Sequence, residues 1–236
     1  MIDERAKTAA RNNAEWCEAM CRAHGLPGTY GARAWTNARR TPMLYPDAVT
    51  LTAEATADDI LDAVDLTTPG CSVKDSFASL DLSAAGFDVL FEAQWLHRPA
   101  DLPAPAAPEG VEWARVATPA ELAEWATAWD ADEGLADLFR TELLAAPEAA
   151  FLTGRAAGRV VAGAVVSVTG GGATAGVSNL FTTDDDLGAA WAGCLSTVAK
   201  EWPGSPVVGY ESGDALAAAR AAGCVPTGPL RVWLAR

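Results

Sequence analysis

One short pattern occurs twice in this chain and limits what it can fold into. Ala84-Ala85-Gly86-Phe87 leads into an apolar run that ends Trp95-Leu96-His97-Arg98. Ala221-Ala222-Gly223-Cys224 leads into another that ends Trp233-Leu234-Ala235-Arg236. Each copy follows a helix-like stretch. Glycine supplies the left-handed conformation that stops a helix, and the run behind it reads as a strand. From Gly to Trp the first copy takes nine residues and the second ten. A helix-stop-strand corner used twice implies duplicated architecture within the 236 residues.

The rest of the chain divides around a linker. Residues 99–110 hold four prolines among alanines and acids, a composition that gives an extended, semi-rigid connection. Before it, Ala10, Ala14, Cys17, Cys21 and His24 recur at helical spacing, so a helix is expected from Ala6 to His24. Residues 31–46 read as loop. A strand is expected at 48–52, a short helix from the cap Thr56 to Asp65, a strand at 71–77, a short helix at 80–85 and a strand at 88–96. After the linker come a strand at 111–116 and a helix opened by Thr118, Pro119 and Glu121. A second helix is expected at 135–144, then strands at 149–153, 160–168 and 173–181. A helix at 187–200, a strand at 206–210, a helix at 214–222 and a strand at 230–234 finish the pattern.

The order β-α-α-β-β-β-α-β-α-β from Val111 to Arg236 resembles the GNAT superfamily of acyl-CoA-dependent N-acyltransferases. The best local match is Ser212 to Trp233: Ser212 stands where the family has Asn, Ala215 at its Ala, and Gly223-Cys224 where it has Gly-Phe. Ala219 stands where the family has Tyr, and Leu82 takes that place in the first copy. The order of elements from Ala48 to Arg98 parallels that from Val177 to Arg236. The resemblance therefore implies an α/β (α+β) chain: a tandem GNAT-like fold with a mixed, mostly antiparallel central sheet flanked by helices. Its parts would be a partial, degenerate unit at 1–98, the linker at 99–110 and an acyltransferase unit at 111–236.

The resemblance also implies acetyl-CoA or another acyl-CoA as co-substrate, with no metal, and an amine of a small molecule as acceptor. In such folds a turn of small residues at a helix start offers free N–H groups to the pyrophosphate. The nearest match here is Asp185-Asp186-Leu187-Gly188-Ala189-Ala190, so Gly188, Ala189 and Ala190 are the cofactor candidates, together with Ser212. Asp185 replaces the family's Arg or Gln, and acids at a helix start are also ordinary caps. Backbone groups of Leu180, Phe181 and Thr182 would pair with a pantetheine arm. Glu211 is the candidate base, with Tyr210 beside it, and Asn179 would face the cleft. With Tyr missing from the helix, a ligand-binding protein without turnover stays open as the alternative.

Arg33, Trp35 and Trp129 enter as further substrate candidates. Arg33, with Arg39 and Arg40, forms the one local basic cluster and can clamp a carboxylate or phosphate, with Trp35 interleaved. Trp129, near Trp113 and Trp125, can wall an apolar acceptor pocket. Cys17, Cys21 and His24 share a helical face, yet only one other histidine exists to complete a zinc site. The net charge of −14 argues against nucleic-acid and anionic-membrane partners. No apolar leader is expected at Met1-Ile2-Asp3-Glu4-Arg5, and five cysteines fit reduced thiols, so a cytoplasmic protein is expected, with a monomer favoured.

Overall fold

The computed structural model describes residues 3–130 and 134–236. Helix α1 (Glu4–Ala23) opens on Asp3, whose carboxylate accepts the Arg5 N–H at 2.9 Å, and stops before Gly25 at φ 69°. Its buried stripe, Ala6, Ala10, Ala14, Cys17 and Cys21, follows the spacing read from the sequence. Strands β1 (Thr29–Tyr30) and β2 (Ala34–Thr36) then form a small hairpin, with β2 inside the segment expected to be loop. All three residues of β2 are buried, so no alternation marked it as a strand. Next come β3 (Ala48–Thr50), α2 (Ala57–Leu61), β4 (Ser72–Asp75), a 3₁₀ turn at Ser83–Ala85 and β5 (Phe87–Arg98).

Beyond the linker lie β6 (Glu112–Arg115) and α3 (Pro119–Trp129), the latter with the expected capping box between Thr118 and Glu121. The helix expected at 135–144 is instead two 3₁₀ turns, Ala136–Leu138 and Thr141–Ala145. Phe139 and Arg140 between them are extended, because Phe139 swings into an aromatic cluster with Trp125, 5.0 Å away, and Phe151, 5.5 Å away. There follow β7 (Ala149–Ala156), β8 (Arg159–Thr169), β9 (Thr174–Thr182), α4 (Leu187–Glu201), β10 (Val207–Glu211), α5 (Gly213–Ala221) and β11 (Val225–Ala235). β11 starts earlier than expected, at Val225. Its Pro226 and Pro229 are exposed and flank a register shift at Gly228, which is how a strand tolerates prolines.

Among the described residues eleven strands form one sheet in the order β1-β2-β3-β4-β11-β5-β10-β9-β8-β7-β6. The two copies of the repeated signature are its central pair, β5 and β11, antiparallel to each other. Each half lends its last long strand to the other: β5 pairs with β10, and β11 pairs with β4. A local two-fold relates the halves about the pair Ala93–Leu230. Two residues out from that pair, Trp95 faces Gly228 and Val232 faces Phe91, so Trp95 corresponds to Val232 and not to Trp233. The extra residue in the second Gly-to-Trp spacing turns Trp233 to the opposite face. Trp95 packs under α1 with Ala6, Ala10 and Val232, whereas Trp233 packs with Phe87, Ile60 and Val73.

Helices α1 and α3 cover one face of the sheet around Trp16, Trp125 and Phe151, and α4 and α5 cover the other around Trp191, Leu195 and Ala219. Asn12 pins α1 to the sheet: its amide donates to Ser167 O at 3.1 Å and to the Thr169 hydroxyl at 2.9 Å, and it accepts the Ser167 hydroxyl at 2.9 Å. This polar clasp is buried and close to Gly176, where a Cβ would stand 1.7 Å from the Asn12 amide oxygen. Gly176→Ala is therefore expected to cost about 1–3 kcal/mol through overpacking, visible as a lower midpoint in a thermal melt. A wild-type melt would mean that α1 shifts freely. Among the described residues no helix is long and apolar enough to cross a membrane.

Candidate functional site

The parallel strands β9 and β10 pair at only two positions, Val207 with Ala175 and Val208 with Gly176, and then diverge. The divergence starts where Gly209 lies against Val177; a Cβ there would sit 2.7 Å from the Val177 carbonyl oxygen. A bulge in β9 adds to it. Gly163 faces Phe181 but Val165 faces Ser178, and Asn179 inside this shift takes φ 50°. A wedge thus opens between the strand ends. Thr183 N–H donates back to Val161 O on β8, so by alternation the backbone groups of Leu180 and Thr182 face the wedge and those of Phe181 face β8.

On the α1 face the wedge meets a cavity of about 210 Å³. Asn179, Leu180, Tyr210 and Glu211, all singled out from sequence, line it together. So do Cys17 of α1 and Tyr45, together with Asn13 of α1, Lys74 of β4 and Ser178, the last three missed by sequence reading. Burial pushes the Glu211 carboxyl up from an ordinary 4.5 to about 7. No hydrogen bond or ion pair holds its side chain among the described residues. Tyr210 stands edge-on to Trp95 at 5.5 Å, and the Lys74 ammonium lies 4.3 Å from its ring centre. Cys17 is no nucleophile here, since burial lifts its thiol to about 11.

The local two-fold explains why only one wedge is open. Lys74 pairs with Val232 as Tyr210 pairs with Trp95, so Lys74 and Tyr210 are counterparts, and so are Asp75 and Glu211. β3 stays paired with β4 as far as Lys74, whereas β9 has left β10 before Tyr210. Asp75 is fully buried and spends its carboxylate on the N–H groups of Leu80, at 2.8 Å, and Phe77, at 3.3 Å. In the first half the carboxylate staples a loop; in the second no hydrogen bond or ion pair engages it among the described residues.

Other sequence candidates lie elsewhere. Trp35 is completely buried and donates to Glu18 at 2.8 Å, so it is a core residue and not a substrate contact. Arg33 is exposed and pairs with Asp59 at 3.2 Å. Arg39 donates to Gly25 O at 2.8 Å, and Arg40 donates to Asp47. The expected clamp is therefore spent on the protein's own acceptors. Trp129 stacks on Trp125 at 6.5 Å and meets Phe139 at 5.0 Å, away from the cavity. Phe181 packs on Trp125 at 5.2 Å. Ser212 precedes α5 as its cap residue, exposed and with no side-chain cap bond. His24 is engaged with Leu138 O at 2.8 Å, and no cluster of metal-ligating side chains occurs among the described residues.

A pantetheine arm fits the wedge, because the backbone groups of Leu180 and Thr182 there have no β10 partner. The α4 turn does not fit a pyrophosphate equally well. The Asp186 carboxylate accepts the Ala189 N–H at 2.8 Å, Leu187 N–H goes to Asp185 O at 3.1 Å, and Ala190 N–H goes to Asp186 O at 3.1 Å. Gly188 N–H is the first-turn donor left over, and Asp184, Asp185 and Asp186 are all exposed around it. Ala219, in the place of the family's Tyr, lies on the buried face of α5 and brings no hydroxyl.

No family model matches the chain, and no curated protein matches it. Solved structures do. A GCN5-related N-acetyltransferase from Kribbella flavida aligns over 96% of this chain and 95% of its own, with TM-score 0.60 and 19% identity. A GNAT-family protein from Novosphingobium aromaticivorans aligns over 94% and 96%, with TM-score 0.56 and 15% identity. A tandem GNAT protein from the clavulanic acid biosynthesis pathway covers 71% of this chain and 64% of its own, with TM-score 0.52 and 14% identity. These alignments show that the chain has the GNAT fold.

Proposed function

We propose that this chain is an acyltransferase that moves an acyl group, such as acetyl, from acyl-CoA to the amine of a small molecule. Residues 111–236 would be the working unit and 1–98 its degenerate partner, which supplies one wall of the acceptor cavity. The observation that carries this reading is Glu211. It is a carboxyl with no hydrogen-bond partner, lifted to about 7 by burial, at the mouth of an open strand wedge and lining a cavity. A base poised near neutrality suits removal of a proton from an ammonium.

When bound, acyl-CoA supplies a thioester, a carbonyl ready for attack. Acyl transfer forms the N–C bond, breaks the C–S bond and releases two protons from the ammonium. One proton ends on the leaving thiol. Glu211 takes the other and passes it to solvent. Tyr45 and Ser178 offer hydroxyls in the same cavity.

Ligand binding without turnover is favoured by one specific observation, the Asp186 cap that occupies the Ala189 N–H. Calorimetry with acetyl-CoA and CoA, followed by thiol release in the presence of amines, separates the two. Binding with thiol release supports the acyltransferase. Binding without release under any amine supports the alternative. No heat at millimolar CoA removes acyl-CoA from the reading.

A further inference from the structure

The 210 Å³ cavity adjoins a larger chamber of about 560 Å³ on the α1 face of the sheet, and Tyr45, Lys74 and Tyr210 wall both. Phe91 of β5 and Val232 and Leu234 of β11 line the chamber, with Met43 and Leu44 of the 40–46 loop. Met43 is 66% exposed, Leu44 65% and Phe91 39%. Large apolar side chains left exposed around one hollow mark a place where an apolar body comes to rest.

The charged residues that line this chamber are Arg40 and Lys74, two cations with no carboxylate beside them, in a protein of net charge −14. Arg40 spends its charge on Asp47. Lys74 has no such partner. It is 4% exposed, and its ammonium donates to the Asn13 amide oxygen at 2.8 Å and lies 4.3 Å from the Tyr210 ring centre. No carboxylate comes within ion-pair distance of it among the described residues. A buried ammonium has three donors and a full charge to satisfy; an amide oxygen and a ring face meet only part of that demand. The Tyr45 hydroxyl in the same wall is buried and has no hydrogen-bond partner in the protein. A cation and a spare donor thus stand at one end of an apolar space, and the anion that would complete them is missing. Glu211, next along β10 from Tyr210, turns to the opposite face by strand alternation and supplies nothing here.

We infer that the chamber is a binding site for a small monocarboxylic acid with an apolar body. The carboxylate sits on Lys74, where the two spaces meet, and accepts the Tyr45 hydroxyl. The body lies along Phe91, Val232 and Leu234 beneath the 40–46 loop. The site stands apart from acyl transfer, because it uses neither Glu211 nor the backbone groups of the wedge. Recognition needs both ends of the ligand: a neutral or cationic molecule of the same shape leaves Lys74 unpaired, and a bare carboxylate leaves the apolar wall uncovered.

Calorimetry on the full chain tests this with four probes: 3-phenylpropanoate, the neutral 3-phenylpropan-1-ol, the cationic 3-phenylpropylamine, and acetate, which has no apolar body. 3-Phenylpropanoate is expected to bind at least about 10-fold more tightly than each of the others, since only it both pairs the buried charge and fills the chamber. Lys74→Met, which keeps the apolar stem, should bring the acid and the alcohol to within about 2-fold of each other. Tyr45→Phe removes a hydroxyl with no partner in the protein, so its melt should match the wild type while the affinity for 3-phenylpropanoate falls about 3- to 10-fold. Equal binding of acid and alcohol, or of acid and amine, to the unaltered protein overturns the role of Lys74. Acetate binding as tightly as 3-phenylpropanoate overturns the role of the chamber. Acid affinity unchanged in Tyr45→Phe overturns the placement of the carboxylate, and that variant decides the point even where Lys74→Met does not fold. No heat from 3-phenylpropanoate at about 10 mM, where even a millimolar site is filled, overturns the inference as a whole. These titrations contain no CoA, so they decide this site whichever way the CoA titration falls.

Discussion

Glu211→Gln is expected to lower kcat/KM for amine acylation by about 10²- to 10⁴-fold, the range for loss of a positioned base. The pH profile is the sharper readout. With the carboxyl lifted to about 7, the wild-type rate should fall as pH drops through 7, because the protonated acid cannot accept another proton. The Gln variant should have lost that limb. Stability should move the other way. Unfolded, the carboxyl releases its proton near the ordinary 4.5; folded, it holds the proton until about 7. Between those values the native state binds more protons than the unfolded state, so stability falls as pH rises through the window and stays lost above it. The full loss is at most about 3 kcal/mol, at roughly 1.4 kcal/mol per unit, and partial exposure of the side chain reduces it. Chemical denaturation at pH 4.5 and pH 8 should show the difference in wild type and not in Glu211→Gln. Parallel curves for both proteins would mean that the carboxyl is well solvated and no poised base.

Asp47→Ala is expected to destabilise the fold by about 3–5 kcal/mol, the cost of leaving a mostly buried guanidinium without its carboxylate. Asp47 is 1% exposed and accepts from four donors: Arg40, the Thr41 N–H at 3.0 Å, the Thr41 hydroxyl at 3.2 Å and the Ser72 N–H at 2.9 Å. Arg40 also donates to the carbonyls of Asp65 and Thr68. These bonds tie the 40–46 loop to β4 and to the turn after α2. For a chain of this length the melting temperature should fall by about 10 °C, at roughly 2–4 °C per kcal/mol. Arg40→Met combined with Asp47→Ala should cost less than the sum of the two single changes, because the second removal takes away the charge the first one stranded. Additive costs would show that the pair is not coupled. As the loop roofs both cavities, ligand affinity should drop with stability in the single variant.

Much of the fold was written locally. Thr118 with Glu121 and Thr56 with Asp59 form the two capping boxes found in the structure, and Thr118 with Pro119 announced the start of α3. Strand ends in the second half located Asn179, Leu180, Tyr210 and Glu211, which do share one cavity. The opposite wall was illegible because the first half supplies it. Lys74 sits between Val73 and Asp75 in a short strand, and a lysine there reads as a solvent-facing residue unless one knows that α1 covers that face. Trp35 misled in the reverse sense. An aromatic among arginines in a loop-like stretch looks like a binding residue, yet it anchors the buried strand β2, paired on both sides, through Glu18. The exchange of last strands was equally hidden, since pairing partners more than a hundred residues apart leave no local trace.

That exchange ties the two halves into one cooperative object. Cut at the linker, residues 1–98 would keep β5 but lose β10 and β11, the strands on either side of it, and residues 111–236 would keep β11 but lose both β4 and β5. Each fragment would present a long bare strand and a bare sheet edge, the combination that drives strands to seek partners in other molecules. The first half supplies β5, a strand that the second half cannot make for itself. Each half is thus a permanent part of the other's sheet.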